Sequence, residues 1–147
     1  MEKKKSFTTS ILVDQSAAEV FKAINNTRGW WQGEFTGNTD KLNEEFTYEV
    51  PGVHFSKQKV IELIPGKKVV WLVTESNLSF VAKKDEWTNT TLQFDISTEG
   101  KKTKVTFTHY GLVPTFECYG GCAGAWGDLI EQSLLSFITT GKGVKVF

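Results

Sequence analysis

Several features that mark particular classes of protein are scarce or missing in this sequence. Its two cysteines, Cys118 and Cys122, are too few for the disulfide framework of a small secreted protein. The opening segment lacks the small-residue cleavage site of a secretory signal, and no stretch approaches the roughly 20 apolar residues that a membrane span needs. We therefore expect a cytoplasmic protein that does not span a membrane.

An excess of charge of one sign is also lacking. The chain has 17 Lys and Arg and 17 Asp and Glu, so its formal net charge is zero. No overall electrostatic field attracts it to nucleic acid or anionic lipid, and we predict no nucleic-acid partner. At 147 residues the chain has the usual length of one domain, and we predict a single domain over residues 1–147.

Motifs of common active sites are absent as well. The sequence has no glycine-rich phosphate loop, no Gly-x-Ser-x-Gly turn and no His-Glu-x-x-His helix. Cys118 and Cys122 lie four residues apart, but no second cluster of His or Cys completes the four ligands of a structural zinc site. We predict no metal, no cofactor and no catalytic residue, and we interpret the two cysteines as buried thiols.

Aromatic residues, by contrast, are abundant. They make up 13% of the chain, with 11 Phe and 5 Trp, which is more large apolar surface than a minimal core needs. Either the core is unusually aromatic or rings line a pocket. Trp30 and Trp31 are adjacent in the sequence, and we expect their side chains to point in different directions.

The first part of the chain predicts a strand followed by a helix. Residues 6–13 are rich in Thr, Ile, Val and Phe, which favour strands. Ser16 and Glu19 have the spacing of a capping box, which begins a helix that extends to about Asn25. Residues 27–32 predict either a short second helix or a tight loop.

The middle of the chain predicts an antiparallel meander with one face exposed to solvent, because apolar and polar residues alternate. Pro65-Gly66 separates two of these strands and has the residues of a type II turn. The predicted strands are 46–50, about 55–64, 67–75, a weaker candidate at 78–83, 92–96 and 105–109.

The last segment has the spacing of a long amphipathic helix that ends at a capping glycine, Gly141. Its apolar residues recur at steps of three and four: Cys118, Cys122, Trp126, Ile130, Leu134, Phe137 and Ile138. Four glycines crowd its first turns, namely Gly120, Gly121, Gly124 and Gly127. They indicate either close packing against strands or open volume at the edge of a cavity.

These elements predict an α+β fold in which helices cover one face of an antiparallel sheet. Five segments also carry a family resemblance: 16–24, 60–71, Glu86-Trp87, 106–112 and the tail 126–143. Together they resemble the START-like (SRPBCC) superfamily, and more narrowly the bacterial relatives of the activator of the heat-shock protein 90 ATPase. The resemblance implies a helix-grip fold, a curved sheet of about six or seven strands wrapped around the C-terminal helix, and an internal cavity that accepts apolar molecules.

Our first hypothesis is therefore that the protein binds a small hydrophobic or aromatic ligand in a cavity between the sheet and the C-terminal helix. The residues predicted to line this cavity are inward-facing aromatic, thiol or imidazole side chains: Trp30, Trp71, Phe94, Phe107, His109, Cys122 and Trp126. His109 is either a core histidine satisfied by a hydrogen bond or the polar group that orients the ligand. His54 has no carboxylate at a motif spacing, and we give it less weight.

Two other classes of function stay open. An enzyme of the cyclase, hydrolase or detoxifying type would use His109 or a nearby acid as a general base and would need a second titratable group within hydrogen-bond reach of His109. A protein-interaction module, such as a chaperone partner, would need an exposed apolar patch, for which Trp30 and Trp31 are the candidates. Both a monomer and a homodimer are compatible with the sequence.

Overall fold

The computed structural model describes residues 7–31, 33–79, 84, 85, 87–112 and 119–145. Within these residues, seven strands form one antiparallel sheet in the order β1-β7-β6-β5-β4-β3-β2. The strands are β1 (Phe7–Val13), β2 (Glu34–Gly37), β3 (Glu45–Val50), β4 (His54–Ile64), β5 (Lys68–Leu78), β6 (Thr91–Glu99) and β7 (Lys102–Tyr110). The predicted α+β class and antiparallel meander are confirmed.

The helix after β1 follows the sequence prediction closely. Helix α1 (Ala17–Asn25) begins at a capping box in which the Glu19 N–H donates to Ser16 Oγ at 3.2 Å and the Ser16 N–H donates to Glu19 Oε1 at 3.2 Å. This reciprocal pair satisfies two backbone donors that a helix start leaves without partners. The segment after it is a single 3-10 turn (Thr27–Gly29), which settles the choice left open for residues 27–32 apart from Gln32, which lies outside the described residues.

The C-terminal helix is continuous but changes its winding. Helix α2 (Tyr119–Asp128) passes into a π-helical segment (Leu129–Leu134) and then into α3 (Leu135–Thr140). Gly141 has a φ of +85° and caps the helix, as predicted. In the described part of the apolar stripe, Cys122, Trp126, Ile130 and Leu134 are buried, and Phe137 and Ile138 are half-buried against the core. Cys118 lies outside the described residues.

Turn chemistry fixes the register of the two longest strands. Between β4 and β5 the Lys67 N–H donates to the Ile64 carbonyl at 2.9 Å, and Gly66 has a φ of +71°, which is the geometry of a type II turn. Strand β5 continues to Leu78, so Leu78 ends this strand and does not begin another one. The rest of that weaker candidate, residues 80–83, lies outside the described part of the chain.

The edge strand β2 has no counterpart among the predicted strands. It has only four residues and pairs with β3, where Phe35 lies opposite Tyr48. Its signal in the sequence is too short, because one aromatic residue between small and polar neighbours does not establish an alternation.

Trp30 and Trp31 are both buried, with 1% and 3% of their surface exposed. Their rings stack at a centroid distance of 6.0 Å and an angle of 17°, so the expectation that they point in different directions is wrong. The exposed patch that a protein-interaction module would need at these residues is therefore not present. The reason is the turn before them: both N–H groups donate to the Thr27 carbonyl, and this compact geometry directs both indoles inward.

The core lies between the concave face of the sheet and the helices, and it forms one contiguous hydrophobic cluster. Val20 and Ile24 of α1 are fully buried against the sheet, as are Ile130 and Leu134 of the C-terminal helix. Among the described residues, the helices are all too short or too polar to cross a lipid bilayer.

Candidate functional site

A cavity of about 360 Å³ lies between the β3–β4 end of the sheet and helix α2. Its volume is within the range of pockets that bind small molecules. Aromatic and aliphatic side chains predominate in its wall, which consists of Trp31, Tyr48, Val50, Val53, His54, Trp87, Cys122, Ala125, Trp126 and Leu129. Cys122, Ala125 and Trp126 reach it together because helical positions i, i+3 and i+4 share one face.

A second cleft, of about 560 Å³, lies between α1 and the chain that follows β2. Polar and charged residues, among them Lys22, Asn25, Arg28 and Asp40, line much of it. Arg28 is already engaged, since its guanidinium donates to the carbonyls of Phe35 and Gly37. The aromatic cavity is therefore the better candidate for binding an apolar ligand.

One wall of the cavity is built by Trp31 and Tyr48. Tyr48 points inward from β3, and its ring stacks on Trp31 at 4.3 Å between centroids with an angle of 26°. Gly33 has a φ of +142°, and a Cβ at this position would lie 2.2 Å from Tyr48 Cε1, so only glycine permits this stack. Burial raises the pKa of Tyr48 above its usual range, which keeps the phenol protonated, and its hydrogen bond with Trp31 opposes this shift.

The adjoining part of the wall is built by Trp87 and Trp126. Their indoles stack at 5.9 Å with an angle of 17°, and Trp126 also contacts Phe107 at 4.5 Å and Trp31 at 5.0 Å between ring centroids. The cavity wall is thus continuous with the aromatic core. Such interlocked rings have little freedom to move, so the cavity is formed before any ligand binds.

His109 is fully buried and uses both of its ring nitrogens. The Trp126 indole N–H donates to His109 Nδ1 at 3.1 Å, so the proton of the neutral ring is on Nε2. His109 Nε2 donates this proton to Thr90 Oγ1, with 2.8 Å between the two atoms. The Thr90 hydroxyl in turn donates to the Trp87 carbonyl. His109 therefore joins β7, the C-terminal helix and the segment that carries Trp87.

The environment of His109 does not suit a general base. Burial, and to a lesser extent the neighbouring His54, lowers the pKa of His109 to about 3. Its hydrogen-bond partners in the described part of the chain, Thr90 and Trp126, do not titrate near neutral pH. The second titratable group that the enzyme hypothesis requires at hydrogen-bond distance is not among them.

His54 is the histidine in the cavity wall. Its Nε2 lies 3.0 Å from Ser56 Oγ, and its ring meets Trp87 edge-on at 4.7 Å between centroids. Burial lowers the pKa of His54 to about 4, so the ring is neutral at pH 7. One pattern in the sequence could have identified His54. Polar residues occupy every second position on the inward face of β4, namely His54, Ser56 and Gln58.

The seven predicted site residues divide into two groups. Cys122 and Trp126 line the cavity. The others are fully or almost fully buried in the core behind its wall: Trp30, Trp71, Phe94, Phe107 and His109. The alternation of residues along the strands identified the inward side chains correctly. It does not tell at which end of the sheet a cavity remains between the sheet and the helix. Whether these five residues affect ligand binding stays a prediction.

Two of the four glycines of the last segment can be assigned. A Cβ on Gly124 would meet no atom within 4 Å, and one on Gly127 would meet only Glu131 Oε2, at 3.7 Å. Close packing against strands therefore does not explain these two glycines. In the described ranges, no group of three or more His, Cys, Asp and Glu residues is placed to hold a metal ion.

Comparison with solved structures finds the same architecture. Aha1 from Colwellia psychrerythraea, determined as a dimer in solution, is 22% identical, with a TM-score of 0.76 over 95% of this chain and 99% of its own. A Staphylococcus saprophyticus protein is 12% identical, with a TM-score of 0.71 over 97% and 98% of the two chains. DynU16, a protein in the dynemicin biosynthetic locus, is 13% identical, with a TM-score of 0.68 over 96% of this chain and 49% of its own.

Neither protein-family models nor curated proteins give a match to the sequence. At these identities the structural comparison speaks to fold. The curved antiparallel sheet that holds a long C-terminal helix is the helix-grip fold, and the resemblance to the bacterial Aha1-like proteins of the START-like type is confirmed as a resemblance of fold.

Proposed function

We propose that the protein binds a small uncharged molecule with an aromatic or otherwise apolar body in the cavity between β3, β4 and helix α2. One observation carries this proposal: a cavity of about 360 Å³ opens among aromatic rings that belong to the hydrophobic core. None of its ten described wall residues is Asp, Glu, Lys or Arg, so a charged ligand would lose its hydration without an ionic partner.

The stacked rings support the same proposal. Trp31 on Tyr48 and Trp87 on Trp126 are held by the surrounding core, so binding requires little ordering of side chains. A ligand at ten times its dissociation constant would stabilise the folded state by about 1.4 kcal/mol. For a chain of this size that corresponds to a rise in melting temperature of about 4 °C.

The test fills the cavity from helix α2 and measures the loss of binding. Ala125 is a wall residue, whereas Ala123 lies on the same helix outside the wall, which makes Ala123→Phe a matched control for Ala125→Phe. The probe is N-phenyl-1-naphthylamine, an uncharged compound whose fluorescence rises in apolar surroundings. We expect Ala125→Phe to weaken probe binding at least tenfold and Ala123→Phe to change it less than twofold.

Circular dichroism and the melting temperature establish that both variants are folded. The proposal fails if the wild-type protein does not increase the fluorescence of the probe, or if the two folded variants bind it equally well. Native mass spectrometry before and after gentle unfolding gives an independent readout, since a molecule retained through purification would be released and weighed.

A further inference from the structure

The hydrogen-bonding groups of the cavity wall fall into two classes. Two indole N–H groups are engaged within the protein: Trp31 bonds with the phenol of Tyr48, and Trp126 donates to His109. The other nitrogen groups of the wall belong to His54 and Trp87. Trp87 is 4% exposed, and its Nε1–H is buried without a hydrogen-bond partner. A buried donor without a partner is uncommon in folded proteins and calls for an explanation.

The position of the proton on His54 follows from its neighbours on β4. Gln58 Nε2 donates to Ser56 Oγ, and Ser56 is fully buried. The Ser56 hydroxyl proton therefore needs an acceptor, and within the described residues the atom in reach is His54 Nε2, at 3.0 Å. Since the ring is neutral, its own proton is then on Nδ1, which has no hydrogen-bond partner in that part of the chain.

The rings that carry the two remaining donors are neighbours in the wall. The rings of His54 and Trp87 meet edge-to-face, 4.7 Å apart at an angle of 76°. Trp87 Nε1 has almost no accessible surface, so a ligand atom in the cavity cannot reach it, and the donor left for a ligand is that of His54. A ligand with a single acceptor oxygen on a flat apolar body would accept a hydrogen bond from His54 and pack against the stacked rings around it.

We infer that the cavity selects an apolar ligand that carries a hydrogen-bond acceptor, of the aromatic or alicyclic ketone class, with its oxygen at the His54 Nδ1–H beside Trp87. This inference rests on the proposed binding function. It makes His54 the specificity-determining residue and assigns His109 no contact with the ligand. The rest of the wall would provide affinity that does not depend on the acceptor.

Three tricyclic compounds of nearly equal size test the inference, namely 9-fluorenone with an acceptor, fluorene with neither group, and carbazole with a donor. Their affinities are measured by displacement of N-phenyl-1-naphthylamine. We expect the wild-type protein to bind 9-fluorenone about tenfold more tightly than fluorene or carbazole. In His54→Phe the three affinities should become equal within about threefold, because the affinity for fluorenone falls while that for fluorene is retained.

His54→Asn is the conservative variant, because its side-chain amide N–H can replace the Nδ1–H donor. We expect it to retain a preference for fluorenone that His54→Phe lacks. Equal binding of fluorenone and fluorene by the wild type would overturn the inference and leave the proposed function intact. A preference for carbazole would also overturn it, because the wall would then present an acceptor. Failure of all three compounds to displace the probe would overturn the inference and count against the proposed function too.

Discussion

The two histidines of this protein lie close together and differ in what their nitrogens can still do. His109 has a partner at each ring nitrogen, Trp126 and Thr90, and is fully enclosed. Among the described residues, His54 has a partner at one nitrogen, Ser56, and its ring forms part of a cavity wall. The hydrogen bonds give them opposite tautomers, with the proton on Nε2 in His109 and on Nδ1 in His54.

This difference in hydrogen bonding shows how a structural histidine can be distinguished from one that is available to a ligand. Burial lowers the pKa of both rings, to about 3 and about 4, so the pKa values do not distinguish them. What distinguishes them is the number of hydrogen bonds left open beside an empty volume. On this criterion His109 supports the wall and His54 can contact a ligand.

The largest expected effect is on stability. We expect His109→Ala to lower the free energy of unfolding by about 3–5 kcal/mol, because it leaves a void and removes the partners of Trp126 and Thr90. His54→Ala should cost about 1 kcal/mol, since that ring is incompletely buried and has one hydrogen bond. Urea unfolding followed by tryptophan fluorescence measures both. Similar losses for the two variants would contradict the division of roles.

Removing the hydroxyl that His109 contacts gives a smaller change. Thr90→Val keeps the shape of the side chain but leaves the His109 Nε2–H without its acceptor, and we expect a loss of about 1–3 kcal/mol. Thr91→Val is the matched control on the neighbouring residue, which is only partly buried, and should change stability by less than about 0.5 kcal/mol. Equal effects in urea unfolding would show that the Thr90 hydroxyl is not needed.

Acid should lower the free energy of unfolding because both histidines are buried as neutral rings. Their pKa is about 6.5 in an unfolded chain and is lower in the folded one, so the unfolded state binds more protons as the pH falls below about 6.5. The free energy of unfolding should therefore decrease with falling pH, by up to about 1.4 kcal/mol per pH unit for each histidine. Its slope between pH 6 and 5 should be smaller in His54→Phe than in the wild type; an unchanged slope would show that His54 is not buried as a neutral ring.

The finest test concerns the tautomers and does not require a change in stability. Two-dimensional NMR that correlates the ring nitrogens with the ring carbon-bound protons should show Nε2–H for His109 and Nδ1–H for His54 at pH 7. Ser56→Ala removes the hydroxyl that donates to His54 and should shift the tautomer of this histidine alone. If His54 carries its proton on Nε2 in the wild type, the predicted preference for acceptor ligands loses its basis.

Much of the fold could be predicted from the sequence, because it depends on interactions between residues that are close together in the chain. The capping box at Ser16 and Glu19, the turn at Pro65-Gly66 and the cap at Gly141 each depend on a few neighbouring residues, and each lies where it was predicted. The strand β2 was missed, because a four-residue edge strand is specified by its partner β3 more than by its own composition.

The candidate site was predicted only in part. Cys122 and Trp126 were placed correctly on the inner face of the last helix, because a helical stripe has a clear period. The place of His54 in the cavity wall was not predicted, because Ser56 and Gln58 become informative only once β4 is known to face the core. Trp31 and Trp87 were recognised as aromatic residues without a position, since they lie in connections that have no periodicity.

The sequence by itself determined the α+β class, the meander, the buried helical stripe and the abundance of rings, because periodicity and turn chemistry are local properties. Only the tertiary structure decided which rings fill the core and which border a cavity. It also decided which histidine borders that cavity. Both depend on how distant segments pack: Trp87, His54 and Trp126 come from separate elements, and the space between them exists only when the sheet closes around the helix.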